Sequence, residues 1–298
     1  MAARLQDLHR SFARHLRAEG RSERTAVVYG QAIRFFSGWL ESQGRAATVD
    51  ELTRAAIREW LATLADAGLE PSTVKIRYRG LFRFAGWLVA EGEIDAHPMK
   101  GLSQPQPKAK PVPILSDAEL GRLLKACQGR DFVGRRDTAI VRLLLDCGLR
   151  VSELCGLTTD TVDLDREMAI VTGKGEKIRP VYFATRTTAA LDRYLRTRSG
   201  QRWASLPAFF LTQRGGMTPD AVRERMEILG AAVGIDDLHP HRFRHTFAHD
   251  FLMAGGQERD LKRLAGWSSD VMLERYGASA ADVRAKAAAQ RLRRGDRV

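Results

Sequence analysis

The chain has 298 residues and a formal net charge of +12, with 48 Lys and Arg residues against 36 Asp and Glu residues. This length is enough for two domains with buried cores, and a protein so basic attracts polyanions, with nucleic acid the leading candidate. The sequence has neither an apolar run near the ~18 residues that a membrane span requires nor an N-terminal signal core. We therefore expect a cytoplasmic protein with no membrane partner.

The three cysteines, Cys127, Cys147 and Cys155, lie in apolar helical runs. An odd number at these spacings does not fit a disulfide framework, and cysteine ligands at zinc spacing are absent. They are interpreted as buried thiols in a reducing compartment.

Residues 1 to 102 are predicted to form four helices. Leu5, Leu8, Phe12 and Leu16 recur at three- and four-residue intervals and give the first helix an apolar face. The predicted starts of the next three helices are Ser22, Thr53 and Ser72, the last following Pro71, and the predicted ends are Gly44, Gly68 and Gly92. Four short amphipathic helices with short loops predict a compact bundle.

The fourth of these helices begins with a group of cations, Lys75, Arg77, Arg79 and Arg83. Positive charges at a helix start oppose the helix dipole, so another interaction should favour them. We interpret them as DNA-binding residues, against the alternative of an ordinary solvated face.

A proline-rich segment follows at 103–113, where four of the ten prolines fall. Such a segment is an extended linker rather than a helix or a strand. It divides the chain into a helical domain at 1–102 and a second domain at 114–298 that ends in a tail helix. Residues 1–105 carry 15 basic and 12 acidic residues and the rest carries 33 and 24, so both parts are positive.

The second part is predicted to be mainly helical with one small β-hairpin. Ser116 and Glu119 form a capping box before a helix, and Gly148 closes a helix over about 135–147. Two strands, at 168–172 and 178–183, are joined by a loop with Lys174 between two glycines. Further helices are predicted from Arg150, over 186–198, from an N-cap at Thr218, over 241–254, over 257–265 and over 278–289.

Four of the seven histidines lie between positions 239 and 249. His241 and Arg244 are three residues apart in the first turn of a helix, so they share a face where backbone N–H groups attract anions. A metal site is the alternative, since His245 and His249 are four apart. No glutamate stands between them, so supporting or core roles are preferred for both, and a loop role for His239.

These segments together resemble the tyrosine recombinases, also called the phage integrase family. The stretch from Gly148 to Leu157 is similar to the family's first arginine box, Gly173-Lys174-Gly175 to its lysine hairpin, and 241–248 to its His-x-x-Arg box. Leu264 to Trp267, followed by Tyr276, is similar to the final box. The helices of 1–102 resemble the family's four-helix, SAM-like core DNA-binding domain, and 114–298 resembles its catalytic domain. The likeness therefore covers nearly the whole chain.

The resemblance implies a role for each matching residue. Tyr276 attacks the scissile phosphodiester and forms a 3′-phosphotyrosyl link, while Arg150 and Arg244 hold the non-bridging oxygens. Lys174 protonates the 5′-hydroxyl leaving group and His241 assists proton transfer. The remaining positions, which pack against or orient the site, are Trp267, Glu153 and His245. Neither metal nor any other cofactor is implied.

The implied function is site-specific DNA recombination by a homotetramer on two duplexes, with or without an activating partner protein. Many members carry histidine where this chain has Trp267, and tryptophan occurs in some phage and mobile-element recombinases; this favours a mobile-element recombinase over a Xer-type dimer resolvase. Three alternatives of other kinds are a catalytically silent DNA-binding regulator, a type IB topoisomerase and a metal-dependent hydrolase.

Overall fold

The computed structural model describes residues 3–106, 113–173, 175–267, 269–270, 273, 281, 284–291 and 295. The chain divides into two compact units, Met1–Ala109 and Lys110–Val298. Lys174, Tyr276, most of the predicted linker and part of the predicted tail helix lie outside the described residues. Within the described part, no helix is both long enough and apolar enough to cross a membrane.

The first unit is a bundle of four helices. They are α1 (Leu5–Ala18), α2 (Glu23–Ser42), α3 (Arg54–Asp66) and α4 (Pro71–Ala90). The predicted caps Ser22 and Thr53 are confirmed, because their side chains accept the backbone N–H groups of Thr25 and Ala56. The predicted start at Ser72 is wrong by one residue: α4 begins at Pro71, whose fixed φ and missing N–H suit the first helical position.

Aromatic side chains fill the centre of this bundle. Phe12 of α1 meets Phe84 of α4 edge to face with 5.4 Å between ring centroids, and Phe36 meets Trp60 at 5.3 Å. Helices α2 and α4 approach closely at Gly80, where an added Cβ would lie 2.8 Å from the Cβ of Ala32. The apolar face predicted for α1 is confirmed, since its Leu and Phe residues pack into this core.

The second unit is mainly helical with two small antiparallel sheets. Its helices are α5 (Asp117–Ala126), α6 (Phe132–Cys147), α7 (Val151–Cys155), α8 (Thr185–Arg198), α9 (Pro219–Val233), α10 (Pro240–Met253) and α11 (Glu258–Ala265). Its strands are β1 (Val162–Asp163), β2 (Met168–Thr172), β3 (Ile178–Tyr182), β4 (Leu211–Thr212) and β5 (Gly215–Gly216). Residues 284–291 are also helical.

The predicted hairpin is confirmed, with β1, β2 and β3 adjacent in that order and Ile170 opposite Pro180. Pro180 is tolerated because β3 pairs with β2 alone in this sheet and an edge position requires no ladder bond from it. The capping box of Ser116 and Glu119 is also confirmed. Helix α6, however, begins at Phe132 rather than near 135, because the Asp131 side chain accepts the N–H of Gly134.

Two buried arginine clusters stabilise this unit away from the predicted site. The carboxylate of Asp137 is fully buried and binds the guanidinium groups of Arg136 and Arg225. Arg198 donates hydrogen bonds to four carbonyl groups of the loop before β4, those of Ala204, Leu206, Ala208 and Phe209. A buried guanidinium satisfied in this way shapes the loop that it binds.

Candidate active site

The turn after α6 presents Arg150. Gly148 ends the helix with a φ of 56°, and a Cβ at this position would lie 2.4 Å from the ring of Phe247, so the turn requires glycine in two ways. Two residues later Arg150 stands at the N-cap of α7 in extended conformation. Its side chain keeps about 29 % of its surface exposed, so an anion can reach the guanidinium.

Glu153 holds Arg150 from the first turn of α7. Its Oε2 accepts the backbone N–H of Arg150 at 2.9 Å, and its Oε1 accepts Nη1 of the same residue at 2.7 Å. The remaining terminal nitrogen, Nη2, donates to the carbonyl of Gly266 at 3.0 Å. Arg150 is thereby fixed by two groups that are 113 residues apart in the sequence.

Arg244 is one of the largest fully buried side chains in the described part of the chain. It projects from α10 and donates Nη1 to the carbonyl of Gly148 at 2.6 Å and Nη2 to that of Ala265 at 2.5 Å. Arg150 and Arg244 therefore meet at the carboxyl end of α11, where the helix dipole favours positive charge. The two arginines that were predicted to share a site do lie together.

Trp267 follows directly after α11. Gly266 ends that helix with a φ of 63°, and the Trp267 N–H donates to the carbonyl of Lys262 at 2.9 Å. The indole is buried in a small apolar cluster with α10, and its ring centroid is 5.3 Å from Cζ of Arg244. At that distance a guanidinium over an indole face makes a favourable cation–π contact.

Arg179 is a site residue that the sequence analysis missed. Its Nη1 and Nη2 donate to Oε1 and Oε2 of Glu153 at 2.8 and 2.9 Å, and its Nε donates to the carbonyl of Leu264 at 2.7 Å. The two-residue alternation along β3 could have indicated it. Arg179 is on the same face as Val181 and Phe183, both of which are buried. An arginine on the core face of a strand needs buried partners.

Every carbonyl at the carboxyl end of α11 has a donor. Backbone N–H groups of Trp267 and Gly266 donate to the first two, those of Lys262 and Arg263. The next three, in sequence order, are the carbonyls of Leu264, Ala265 and Gly266, and they accept from Arg179, Arg244 and Arg150 respectively. Three guanidinium groups from three elements thus converge on three consecutive peptide groups.

Burial and hydrogen bonding act in opposite directions on Glu153, which is 2 % exposed. Burial alone raises the pKa of this carboxyl, but the hydrogen bonds from Arg179 and from Arg150 outweigh burial and hold the pKa below its ordinary value. Glu153 is therefore a carboxylate at neutral pH. The site combines one buried negative charge with three guanidinium groups and remains positive overall.

The histidines of α10 separate into different environments. His241 is exposed in the first turn, whereas His245 is 6 % exposed and His249 is half-buried. His239 is the N-cap residue and its Nδ1 lies 2.7 Å from the carbonyl oxygen of Asp237. Among the described residues, no group of three His, Cys, Asp or Glu side chains is placed to hold a metal ion.

The four cations predicted to bind DNA lie on α4 in the first unit and do not form one face. Lys75, Arg79 and Arg83 follow one another at intervals of four, while Arg77 lies on the other side of the helix and stacks over Phe35 at 4.2 Å. Arg83 is also engaged by Glu19 at 2.9 Å.

The two remaining predicted residues, Lys174 and Tyr276, fall outside the described residues. Their surroundings are described in part. In the hairpin loop the Gly173 N–H donates to the carbonyl of Lys177 at 2.8 Å, and Gly175 has a φ of 72°. Tyr276 lies nine residues beyond Trp267 in the sequence.

Comparison with known proteins identifies the family. Residues 113–282 match the phage integrase family and residues 10–92 match the N-terminal SAM-like domain of phage integrases. The chain therefore belongs to the phage integrase family of tyrosine recombinases, enzymes that cleave and rejoin DNA through a covalent tyrosine intermediate.

Individual relatives agree with this assignment. The chain is 34% identical to tyrosine recombinase XerD of Pseudomonas putida, over 84% of this chain and 85% of the relative. It is 32% identical to tyrosine recombinase XerC of a Mycobacterium species, over 89% and 92%. Among solved structures, the Tn1549 transposon integrase with transposon right end DNA has a TM-score of 0.75 at 23% identity, covering 98% of this chain and 99% of that one. That likeness shows the same fold.

Proposed function

We propose that this recombinase cleaves DNA with Tyr276 as the nucleophile and with Arg150 and Arg244 as the groups that bind the scissile phosphate. The observation that carries the proposal is the convergence of both guanidinium groups at the end of α11, immediately before the segment that contains Tyr276. A tyrosine hydroxyl is a weak nucleophile at neutral pH unless nearby cations stabilise its anion, and in this proposal Arg150 and Arg244 are those cations.

The proposed reaction is a transesterification. The Tyr276 oxygen forms a bond to phosphorus as the bond from phosphorus to the 5′ oxygen breaks, and Lys174 gives its proton to that leaving oxygen. The tyrosine proton passes to a base, a step that His241 assists. Arg150 and Arg244 bind the two non-bridging oxygens, on which negative charge accumulates in the transition state. The 3′-phosphotyrosyl link retains the energy of the original bond, so a 5′-hydroxyl can reverse the step without ATP.

The supporting residues fix the two arginines. Glu153 binds Arg150 through both backbone and side chain, and Trp267 covers the guanidinium of Arg244. In this proposal the Trp267 indole N–H also donates to the phosphate, and His245 supports Arg244 from the next position on α10. Lys75, Arg79 and Arg83 contribute DNA-phosphate contacts from the first unit.

The test has two stages. A pool of nicked duplexes with randomised sequence is incubated with the protein, and DNA that becomes covalently attached is recovered in SDS and sequenced. The recovered duplex then serves as the substrate for the purified enzyme and for Tyr276→Phe. We expect the wild type to form an SDS-resistant adduct and the variant to form none. A wild type that binds DNA yet never forms an adduct would instead identify a silent DNA-binding regulator.

For the biological role, the identity to XerD and XerC favours resolution of chromosome or plasmid dimers as a second candidate beside integration and excision of a mobile element. Trp267 argues in the other direction, because histidine is commoner at this position. Recombination assays on plasmids with one or two copies of the recovered site separate the two roles, and an activity that appears only when host extract is added would reveal an activating protein.

We further propose that the active species is a homotetramer on two duplexes in the cytoplasm. The helical segment at 284–291 is a candidate contact with a neighbouring subunit, although Arg284 here binds Glu258 of its own chain at 3.2 Å. Deletion of 279–298 should disrupt cooperative assembly on a full site more than binding to a half-site, as measured by gel shift. Intact cooperativity in the deletion variant would remove the tail from the proposal.

A further inference from the structure

Arg179 stands where two parts of the catalytic domain meet. It lies on β3, and its guanidinium joins Glu153 of α7 to the carbonyl of Leu264 at the end of α11. Its side chain is 11% exposed, compared with 29% for Arg150, and three of its nitrogens already donate to protein groups. These three bonds all join elements of the protein to one another.

The contacts of Arg179 lead directly to both phosphate-binding arginines. Glu153 uses the same two oxygens for Arg179 and for Arg150, so a shift of the carboxylate moves Arg150 as well. The carbonyl that Arg179 binds belongs to the residue before Ala265, which binds Arg244. One planar guanidinium therefore holds the carboxylate that binds Arg150 and the peptide group next to the one that binds Arg244.

Gly266 adds a second constraint. A Cβ on this residue would lie 3.0 Å from Cζ of Arg179, so the peptide that accepts Nη2 of Arg150 packs directly against the Arg179 guanidinium. Arg179 thus sets the position of the turn from which the chain continues to Trp267. Lysine cannot replace this function fully, because its ammonium carries all three N–H donors on one nitrogen and lacks the planar fork.

We propose that Arg179 is a positioning residue for DNA cleavage, holding the Glu153 carboxylate and the carboxyl end of α11 in the arrangement that aims Arg150 and Arg244 at one phosphate. This inference rests on the proposed function of the site. It assigns a task to a residue outside the set of Tyr276, Lys174, His241 and the two phosphate-binding arginines.

The chain offers a matched control in Arg198. It is also a buried arginine that donates to several backbone carbonyls, but those carbonyls belong to the loop before β4. Arg198→Met therefore reports what losing a buried structural arginine does to this domain. Arg179→Met removes the same charge at the candidate site, where the lost bonds include two to the Glu153 carboxylate.

The experiment compares Arg179→Met, Arg179→Lys and Arg198→Met on the duplex recovered by covalent capture. DNA affinity, thermal midpoint and the single-turnover rate of adduct formation are measured for each. We expect Arg179→Met to retain DNA affinity and to cleave about 100-fold more slowly, the scale of a ~1 Å misplacement of catalytic groups. Arg179→Lys should recover part of the rate. Arg198→Met should lower the thermal midpoint while the folded protein cleaves at the wild-type rate.

A rate in Arg179→Met equal to that of the wild type would overturn the proposal. So would a loss that only follows the folded fraction, as in Arg198→Met. A double variant with Glu153→Gln gives an independent measurement: the two rate losses should be far from additive, because both act through one contact, and additive losses would also contradict the inference. If the wild type forms no adduct, the proposed function fails rather than this inference.

Discussion

Glu153 binds Arg150 twice, since one carboxylate oxygen accepts its backbone N–H at 2.9 Å and the other accepts its Nη1 at 2.7 Å. The bond to the backbone N–H fixes where α7 begins, and the bond to Nη1 fixes the direction of the Arg150 side chain. The local fold and the direction of the guanidinium are therefore determined by the same residue, and substitutions at Glu153 should affect both stability and chemistry.

Glu153→Gln should lower the free energy of unfolding at pH 7 by about 3 kcal/mol, because it removes one partner of a buried ion cluster. The pKa of Glu153 is lowered in the folded state, so its contribution is present above the ordinary value of 4.5 and is lost as the pH falls below it. The difference between wild type and variant should therefore shrink in acid, as measured by urea unfolding at pH 7 and at lower pH.

The control for that measurement is Asp192→Asn, which removes a half-exposed carboxylate paired with Arg196 at 2.9 Å. Its effect should stay below about 1 kcal/mol at either pH, as for other surface ion pairs. A Glu153→Gln deficit that grows as the pH falls would contradict the assigned pKa direction.

Arg244→Lys should damage stability and cleavage together. Arg244 serves the carbonyls of Gly148 and Ala265 with two separate nitrogens, whereas lysine has a single nitrogen and no planar fork. We expect one of the two buried carbonyls to lose its donor, which costs about 1–3 kcal/mol. Loss of the planar phosphate contact should reduce the cleavage rate by about 10²–10³-fold. Thermal unfolding and single-turnover adduct formation measure the two effects, and an unimpaired cleavage rate would exclude Arg244 as a phosphate ligand.

The cations of α4 should differ in their contribution to DNA binding. Lys75→Gln combined with Arg79→Gln removes two charges from one stripe and should lower the salt dependence of binding, the slope of log K against log salt, by about 2. Arg77→Gln should reduce it by less than the ~1 expected for one phosphate contact, since that guanidinium is held over the ring of Phe35. Fluorescence anisotropy at several salt concentrations measures these slopes. An Arg77→Gln effect equal to half that of the double variant would show that the helix face does not matter.

The three thiols should be inert in the folded protein. Burial raises the pKa of Cys127 to about 12 and that of Cys155 to about 11, and it raises the pKa of Cys147 as well. Because the thiolate is the reactive form, labelling with a disulfide reagent at pH 8 should be slow until urea unfolds the chain, after which all three should react. Rapid labelling of one native thiol would show local opening around it.

Local chemistry explains which parts of the fold could be predicted. The caps Ser22, Thr53, Ser116 and Thr218 each act within one helical turn, so the sequence alone indicates them, and each was confirmed. The early start of α6 was missed although Asp131 follows the same rule, because the apolar period becomes clear only later in that helix.

The candidate site depends on contacts between residues that are distant in the sequence, and these could not be predicted. The motifs indicate Arg150 and Arg244, but nothing local shows that both bind carbonyls at the end of α11. Arg179 was missed because its partners lie 26 and 85 residues away. Its role depends on tertiary contacts, and the one sequence clue is an arginine alternating with buried residues in β3.

The carbonyl groups at the end of α11 link formation of the candidate site to folding of the domain. Their donors come from β3, the start of α7 and α10, so the two arginines proposed to bind the phosphate are brought together only when these elements have assembled on α11. In the proposed mechanism, a nascent or partly unfolded chain lacks that convergence and cannot stabilise the transition state of cleavage. The hydrogen bonds that position the two arginines therefore also make cleavage dependent on complete folding of the domain.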